Sequence, residues 1–86
     1  AFHQICADLV SAMKRNLSED SAEVQTIIRR HHGWLKQFWK PTRKSYVGHS
    51  QLILDSELRK AYDAHDPLLP EFLALAIQTF AEHELE

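Results

Sequence analysis

The sequence predicts an all-α protein, a compact bundle of about five helices. Apolar residues recur at every third or fourth position along most of the chain, which is the spacing of one helical face. The 86 residues include only two glycines and three prolines, too few for a loop-rich chain. Helix-capping residues separate the periodic segments, and no segment alternates apolar and polar residues as a strand does. A chain of this length forms one domain with a modest core.

The first two predicted helices are separated by the polar run "LSEDS". The stripe of the first consists of Phe2, Ile5, Cys6, Leu9, Val10, Met13 and Leu17. The stripe of the second consists of Val24, Ile27, Ile28, His31, Trp34, Leu35 and Phe38. Ser18 or Ser21 can cap the second helix, because a serine side chain accepts from the free amides of a first turn. We expect this second helix to be the long one and to stop just before Pro41, since proline disfavours helical backbone at the preceding residue.

Three shorter predicted helices follow, each with its own start signal. Thr42 can cap the third helix, Asp55 or Ser56 can cap a short fourth one, and Pro70 suits the first turn of the fifth. The inward positions are Tyr46, Val47, Ser50, Ile53 and Leu54 in the third helix, Leu58, Ala61, Tyr62 and His65 in the fourth, and Leu69, Phe72, Leu73, Ala76, Ile77 and Phe80 in the fifth.

The net charge of −2 is unevenly spread. The stretch 24–54 has no Asp or Glu and carries six basic residues: Arg29, Arg30, Lys36, Lys40, Arg43 and Lys44. This favours a partner with anionic or strongly polar groups, although a dipolar surface without a partner gives the same pattern. A helical nucleic-acid or protein interaction module that uses 29–44 is therefore an alternative. A helix-turn-helix is disfavoured, because the basic residues are interleaved with Trp34, Phe38 and Trp39 instead of lying on an exposed recognition helix.

The cysteine content and the apolar runs bear on the compartment. Cys6 is the only cysteine, so the chain has no internal disulfide and suits a reducing, cytoplasmic setting. There is no secretory pattern and no apolar run near the roughly 20 residues of a membrane span, so no membrane partner is expected. The chain starts at Ala1 without a methionine, which processing or excision from a longer protein would explain.

Neither catalysis nor metal binding has a recognisable motif. Cys6 lies on an inner helical face, where a thiol is usually an inert small apolar group. No glycine-rich phosphate loop and no nucleophile elbow is present. The histidines His31, His32, His49 and His65 lack the spacing of zinc ligands. We therefore expect a non-enzyme with no catalytic residues, no metal and no cofactor, and we expect His31 to be a core residue with a hydrogen-bonded ring.

Large rings are concentrated in "HHGWLKQFWKP". Trp34 and Phe38 are four residues apart and share a helical face, while Trp39 lies beside them. Tyr46 and Tyr62 come from the third and fourth helices. Core packing could use all five rings. Trp and Tyr need polar partners when buried, however, and this favours an aromatic-lined cleft that is partly wet.

The order of several segments resembles the TipAS antibiotic-recognition domain, the effector-binding domain at the C-terminus of some MerR-type transcription regulators. These segments are "HHGWLKQFW", "KPT", "YVG", "LILDSELRKAYD" and "LPEFLALAIQTFA". The resemblance runs from Val24 to Ala81 and more loosely through the first helix. Its best parts are the His-x-Trp-Leu-x-x-Phe pattern at 32–38, the Asp55 to Tyr62-Asp63 spacing and the Leu-Ala-x-Ala-Ile run of the last helix.

The resemblance implies a globin-like, all-helical fold for 1–86, a single ligand-binding domain that would be the C-terminal part of a longer regulator. Members of this family bind bulky, multi-ring, thiopeptide-like antibiotics, and binding orders an upstream segment that signals to a DNA-binding domain. DNA would then be contacted only through a separate N-terminal domain, and a homodimer could form through the parent regulator. Some members stand alone and sequester the drug.

The resemblance and the rings together predict the site. We expect four rings to stack on the ligand and two polar side chains to contact it at the rim: Trp34, Phe38, Trp39 and Tyr46 as the rings, His32 and Arg43 as the polar groups. The founding member of the family captures its ligand covalently through a cysteine just after the "FW" position. Pro41 or Thr42 occupies that place here, so we expect binding to be reversible.

Overall fold

Five helices form the protein in a computed structural model that describes residues 2–85. They are α1 (Phe2–Lys14), α2 (Ala22–Leu35), α3 (Arg43–Asp55), α4 (Leu58–Asp63) and α5 (Leu69–Glu84). No strand occurs within these residues, and the predicted all-α bundle of five helices is confirmed. In the same range, no helix combines the length and the apolar character that crossing a bilayer requires.

A tight turn reverses the chain between α1 and α2. Asn16 has a φ of 60°, in the left-handed region that asparagine tolerates better than most residues. The Leu17 amide then donates to the Ala12 carbonyl over 3.0 Å, which satisfies the end of α1. The Ser21 side chain accepts from the Val24 amide over 3.3 Å, so Ser21 is the cap of α2. Of the two serines predicted for this role, the structure selects the second.

The prediction that α2 continues to just before Pro41 is wrong, because α2 ends at Leu35. The Gln37 amide donates to the Trp34 carbonyl over 3.2 Å and the Phe38 amide donates to the Leu35 carbonyl over 2.9 Å. These bonds span three residues, so the backbone tightens into a turn instead of adding another α-helical turn. As a result Phe38 leaves the inner stripe and is 66% exposed. The longest helix is α5, with 16 residues against 14 in α2.

Local start signals fix the other three helices. Thr42 and Ser45 form a capping box at the start of α3, with the Ser45 amide 3.2 Å from the Thr42 hydroxyl and the Thr42 amide 2.8 Å from the Ser45 hydroxyl. The Ser56 hydroxyl accepts from the Leu58 amide over 3.2 Å just before α4. Pro70 lies in the first turn of α5. The predicted roles of Thr42 and Pro70 are confirmed. The prediction that Asp55 or Ser56 caps α4 is wrong, because the N-cap residue is Glu57, whose side chain makes no capping hydrogen bond, and Ser56 is the C-cap of α3.

The core surrounds α5, which packs against each of the other four helices and most extensively against α3. Its predicted inner face is confirmed, because Leu69, Leu73, Ala76, Ile77 and Phe80 are buried and only Phe72 is partly exposed. The other helices contribute Ile5, Cys6, Leu9, Val24, Ile28 and Ile53 to the same core. Each fully buried Leu or Ile side chain contributes roughly 1.5–3 kcal/mol relative to exposure. This core holds the ends of α1, α2 and α4 in place around the site described next.

Candidate ligand-binding site

An apolar hollow, open to solvent, lies where the start of α1 and the end of α2 meet α3 and α4. Its volume is about 410 Å³, within the 300–1,000 Å³ range of small-molecule sites. The lining consists of Phe2, Trp34, Leu35, His49, Leu58, Ala61 and Tyr62. None of these residues is Asp, Glu, Lys or Arg, and burial lowers the pKa of His49, which favours its neutral form. We refer to this site as the aromatic hollow.

Aromatic rings form a continuous surface along one side of the aromatic hollow. The Phe2 ring lies with its centroid 5.3 Å from that of Trp34 and 5.3 Å from that of Tyr62. The Trp34 ring meets the exposed Phe38 ring edge-on, with a centroid distance of 5.2 Å and an interplanar angle of 71°. The aromatic surface therefore extends from inside the hollow to a ring that stands in solvent.

A buried hydrogen-bonded triad connects this wall to the core. His31 Nδ1 lies 2.7 Å from the Tyr46 hydroxyl, and His31 Nε2 lies 3.2 Å from the Tyr62 hydroxyl. A neutral imidazole has one N–H donor and one acceptor nitrogen, so one tyrosine accepts from the ring and the other donates to it. His31 is fully buried, and this confirms it as a core residue with a hydrogen-bonded ring.

Burial keeps all three groups of the triad uncharged at neutral pH. It lowers the pKa of His31 to about 3, with smaller contributions from His49 and His32. It also raises the pKa of the Tyr46 and Tyr62 hydroxyls well above the ordinary value. The charged form of each group would lose its hydration inside the core, and this cost sets the direction of every shift.

The structure brings only part of the predicted site together. Trp34 lines the aromatic hollow, and Phe38 continues its wall into solvent. Trp39 is partly buried, and its ring centroid lies 5.7 Å from that of His49, a lining residue. Two of the four predicted rings thus form the wall, and the third contacts it.

The other three predicted residues do not line the hollow. Tyr46 is fully buried and bonded to His31, so it cannot stack on a ligand unless the core opens. His32 is 8% exposed and packs against Tyr46 and Phe80, with ring centroids 5.2 and 5.4 Å away. Its pKa is lowered by burial and then by the charge of Lys36. Arg43 is exposed at the first turn of α3.

Six of the seven lining residues were not predicted as part of the site. His49 was considered only as a metal ligand, and the other five were placed on inward helical stripes: Phe2, Leu35, Leu58, Ala61 and Tyr62. The signal that could have found them is the shortness of α4. Its six residues span only about 9 Å, which makes α4 the shortest helix of the described residues. Leu58, its first residue, is 40% exposed.

The single thiol of the chain lies outside the aromatic hollow. Cys6 is fully buried, and burial raises the pKa of its thiol to about 11, so it remains protonated at neutral pH. Within residues 2–85, no three or more His, Cys, Asp or Glu side chains cluster closely enough to hold a metal ion. The hollow itself offers rings, aliphatic groups and one imidazole, which are suited to binding an apolar ligand.

Two of the six basic residues in the stretch 24–54 pair with carboxylates of the acidic flanks. Arg29 forms an ion pair with Glu84 of α5, and Arg30 forms one with Asp8 of α1 at 2.7 Å. The Arg29 guanidinium also lies 5.5 Å from the centroid of the Phe80 ring. The uneven charge distribution along the sequence is therefore partly balanced inside the folded domain.

Comparison with known proteins identifies the family of this chain. The family model of the TipAS antibiotic-recognition domain matches residues 1–80. The chain belongs to the TipAS family. Two curated relatives of this TipAS domain are the HTH-type transcriptional regulator SkgA of Caulobacter vibrioides strain NA1000 / CB15N and that of strain ATCC 19089 / CIP 103742 / CB 15. Each is 35% identical over 77 residues, which cover 86% of this chain and 30% of the regulator.

The chain thus spans about 30% of the length of the curated relatives that it matches. No solved structure matches this chain significantly. The family and the relatives together indicate a recognition domain of the kind that belongs to a transcriptional regulator. The resemblance noted in the sequence is confirmed.

Proposed function

We propose that this TipAS domain is a non-catalytic, cytoplasmic ligand sensor. It binds bulky, multi-ring, thiopeptide-like antibiotics or related small molecules reversibly in the aromatic hollow. Binding controls a MerR-type transcriptional activator through a separate DNA-binding domain. The observation that carries the proposal is the hollow itself, an open apolar site of about 410 Å³ with four aromatic rings in its lining.

The dimensions of the aromatic surface suit a ligand with several rings. One flat group enters the hollow beside Trp34 and Tyr62, and a second lies against the exposed Phe38 ring. Each favourable aromatic contact contributes about 0.5–1.5 kcal/mol beyond burial of area. Several such contacts are needed for useful affinity, and a multi-ring molecule supplies them.

The position of the hollow supports a sensing role. Its lining comes from four helices, so a ligand stabilises one relative arrangement of them. Phe2 stands in the first turn of α1, and Tyr62 is bonded to the buried His31. Binding changes transcription if the ligand has a higher affinity for that arrangement than for the others that the parent protein adopts.

Reversible binding follows from the position of the only thiol. Cys6 does not line the hollow, it is fully buried, and its raised pKa removes the nucleophilic thiolate. A stand-alone, drug-sequestering protein would use the same hollow without a DNA-binding output. The relationship to a transcriptional regulator favours the sensor.

Filling the hollow tests the proposal. Ala61 is an exposed lining residue of α4, so Ala61→Trp places an indole where the ligand ring would lie. Ala7→Trp, at an exposed position of α1 outside the hollow, is the matched control. With a panel of thiopeptides and other multi-ring natural products, we expect a thermal shift in the wild type and in the control and none in Ala61→Trp.

Circular dichroism establishes that both variants keep their helices. Two results contradict the proposal: a panel that leaves the melting temperature of the wild type unchanged, or a folded Ala61→Trp variant that binds as the wild type does.

A further inference from the structure

We infer that His49 is the polar anchor of the aromatic hollow, and that the ligand group it holds is an uncharged aromatic heterocycle with one hydrogen-bonding atom at its edge. This inference rests on the proposed function. It restricts the candidate ligands from multi-ring molecules in general to those with an uncharged ring that makes one polar contact.

The hydrogen-bonding groups of the hollow are few. Among the seven lining side chains only those of Trp34, His49 and Tyr62 carry a polar atom. The Tyr62 hydroxyl is bonded to His31. The Trp34 indole offers a donor and no acceptor. His49 is thus the only lining side chain that offers both a donor and an acceptor nitrogen with neither already bonded within residues 2–85.

The His49 ring is both unpaired and reachable. Residues 2–85 supply no hydrogen bond to either of its nitrogens, and burial is the only cause that lowers its pKa. The two buried side-chain atoms of this range that lack a partner belong to His32 and Asp63, so the nitrogens of His49 are not sealed away. The two nitrogens of this half-buried imidazole are therefore free to form a hydrogen bond with a ligand.

The ring is also held in a defined position. His49 lies on α3 one turn beyond Tyr46, and its centroid is 6.3 Å from that of His31 and 5.7 Å from that of Trp39. Contacts on two sides limit the orientations of the imidazole. A positioned hydrogen-bonding group in an apolar site selects ligands by orientation as well as by composition.

The charge of the lining defines the ligand class. No Asp, Glu, Lys or Arg lines the hollow, and burial favours the neutral form of His49. A charged ligand group would therefore lose its hydration without gaining an opposite charge. An uncharged ring with one polar edge atom loses few hydrogen bonds to water on binding, and a hydrogen bond to His49 replaces one of them.

Three probes of one shape test the inference. These are 2-phenylthiophene, which forms no conventional hydrogen bond, 2-phenylthiazole, which accepts one, and 2-phenylpyrrole, which donates one. Dissociation constants come from titrations followed by protein NMR. A net hydrogen bond should make the thiazole or the pyrrole bind roughly two- to tenfold more tightly than the thiophene.

Variants of His49 test whether this residue causes the tighter binding of the thiazole or the pyrrole. His49→Leu should bind all three probes equally, whereas His49→Gln, which keeps a donor and an acceptor, should retain part of the preference. His83→Leu, at an exposed position of α5, is the matched control and should retain all of it. N-methyl-2-phenylthiazolium should bind the wild type more weakly than the neutral thiazole.

The outcomes separate this inference from the proposed function. Equal binding of the three neutral probes to the wild type, or a preference that survives in His49→Leu, overturns the anchor while Ala61→Trp still blocks the hollow. A thiazolium that binds as tightly as the thiazole overturns the uncharged class. If no probe binds the wild type, or if Ala61→Trp binds them normally, the hollow is not the ligand site and both proposals fail.

Discussion

His31 shows how one residue links the site to the stability of the domain. Its ring is held between Tyr46 and Tyr62, which belong to α3 and α4, so a single side chain of α2 joins three helices. Its core position was predictable, because the residue lies in the apolar stripe of α2. Its two tyrosine partners were not, because they are 15 and 31 residues away and only the packing of the helices brings them together.

The burial of His31 predicts that stability falls in acid. In the unfolded chain this histidine takes up a proton near its ordinary pKa of 6.5, whereas in the native state its pKa is lowered to about 3. The unfolded state therefore binds more protons between these values. The stabilisation from neutral His31 is complete above pH 6.5 and is lost as the pH falls toward 3, by up to about 1.4 kcal/mol per pH unit.

Urea unfolding at several pH values measures this slope. His31→Gln should reduce it, while His83→Gln, at an exposed position, should leave it unchanged. NMR titration of the native His31 ring is an independent check that does not need the variant. If the His31 ring titrates near pH 6.5 in the folded protein, the claim that its burial causes the loss of stability in acid is wrong.

At the scale of the helix, a residue that caps the start of a helix could be predicted from its near neighbours, whereas the end of α2 could not. The caps at Ser21 and Thr42 could be predicted because each involves a side chain and the amide three residues on. The end of α2 could not, because Pro41 excludes helix only next to itself and the backbone tightens several residues earlier. That early end separates Phe38 from the core and leaves it beside the hollow.

The capping box at the start of α3 carries a prediction of its own. Thr42→Ala removes the acceptor of the Ser45 amide and should lower the free energy of unfolding by about 0.5–2 kcal/mol. Thr26→Ala is the matched control, because the Thr26 hydroxyl donates to the Ala22 carbonyl within α2 and caps nothing. Its effect should be close to zero, since alanine has the higher helix propensity. Equal effects of the two substitutions in urea unfolding would show that the box does not stabilise α3.

The whole molecule determines which rings a ligand can reach. The concentration of rings in 31–41 indicated an aromatic site, but periodicity alone could not separate Trp34, which lines the hollow, from Tyr46, which the core encloses. That distinction depends on the short α4 and on the start of α1, which lie far apart in the sequence. The fold also pairs part of the basic stretch with acidic residues, because Arg29 lies beside Glu84 and Arg30 beside Asp8.

Intermolecular NOEs between a bound multi-ring ligand and the protein test the central claim most directly. The account predicts contacts from ligand ring protons to the Ala61 methyl group, to the Trp34 indole and to the Phe38 ring, because these groups line or border the hollow. Contacts confined to Arg43, Lys44 and their neighbours on α3, with none to Ala61, would contradict it.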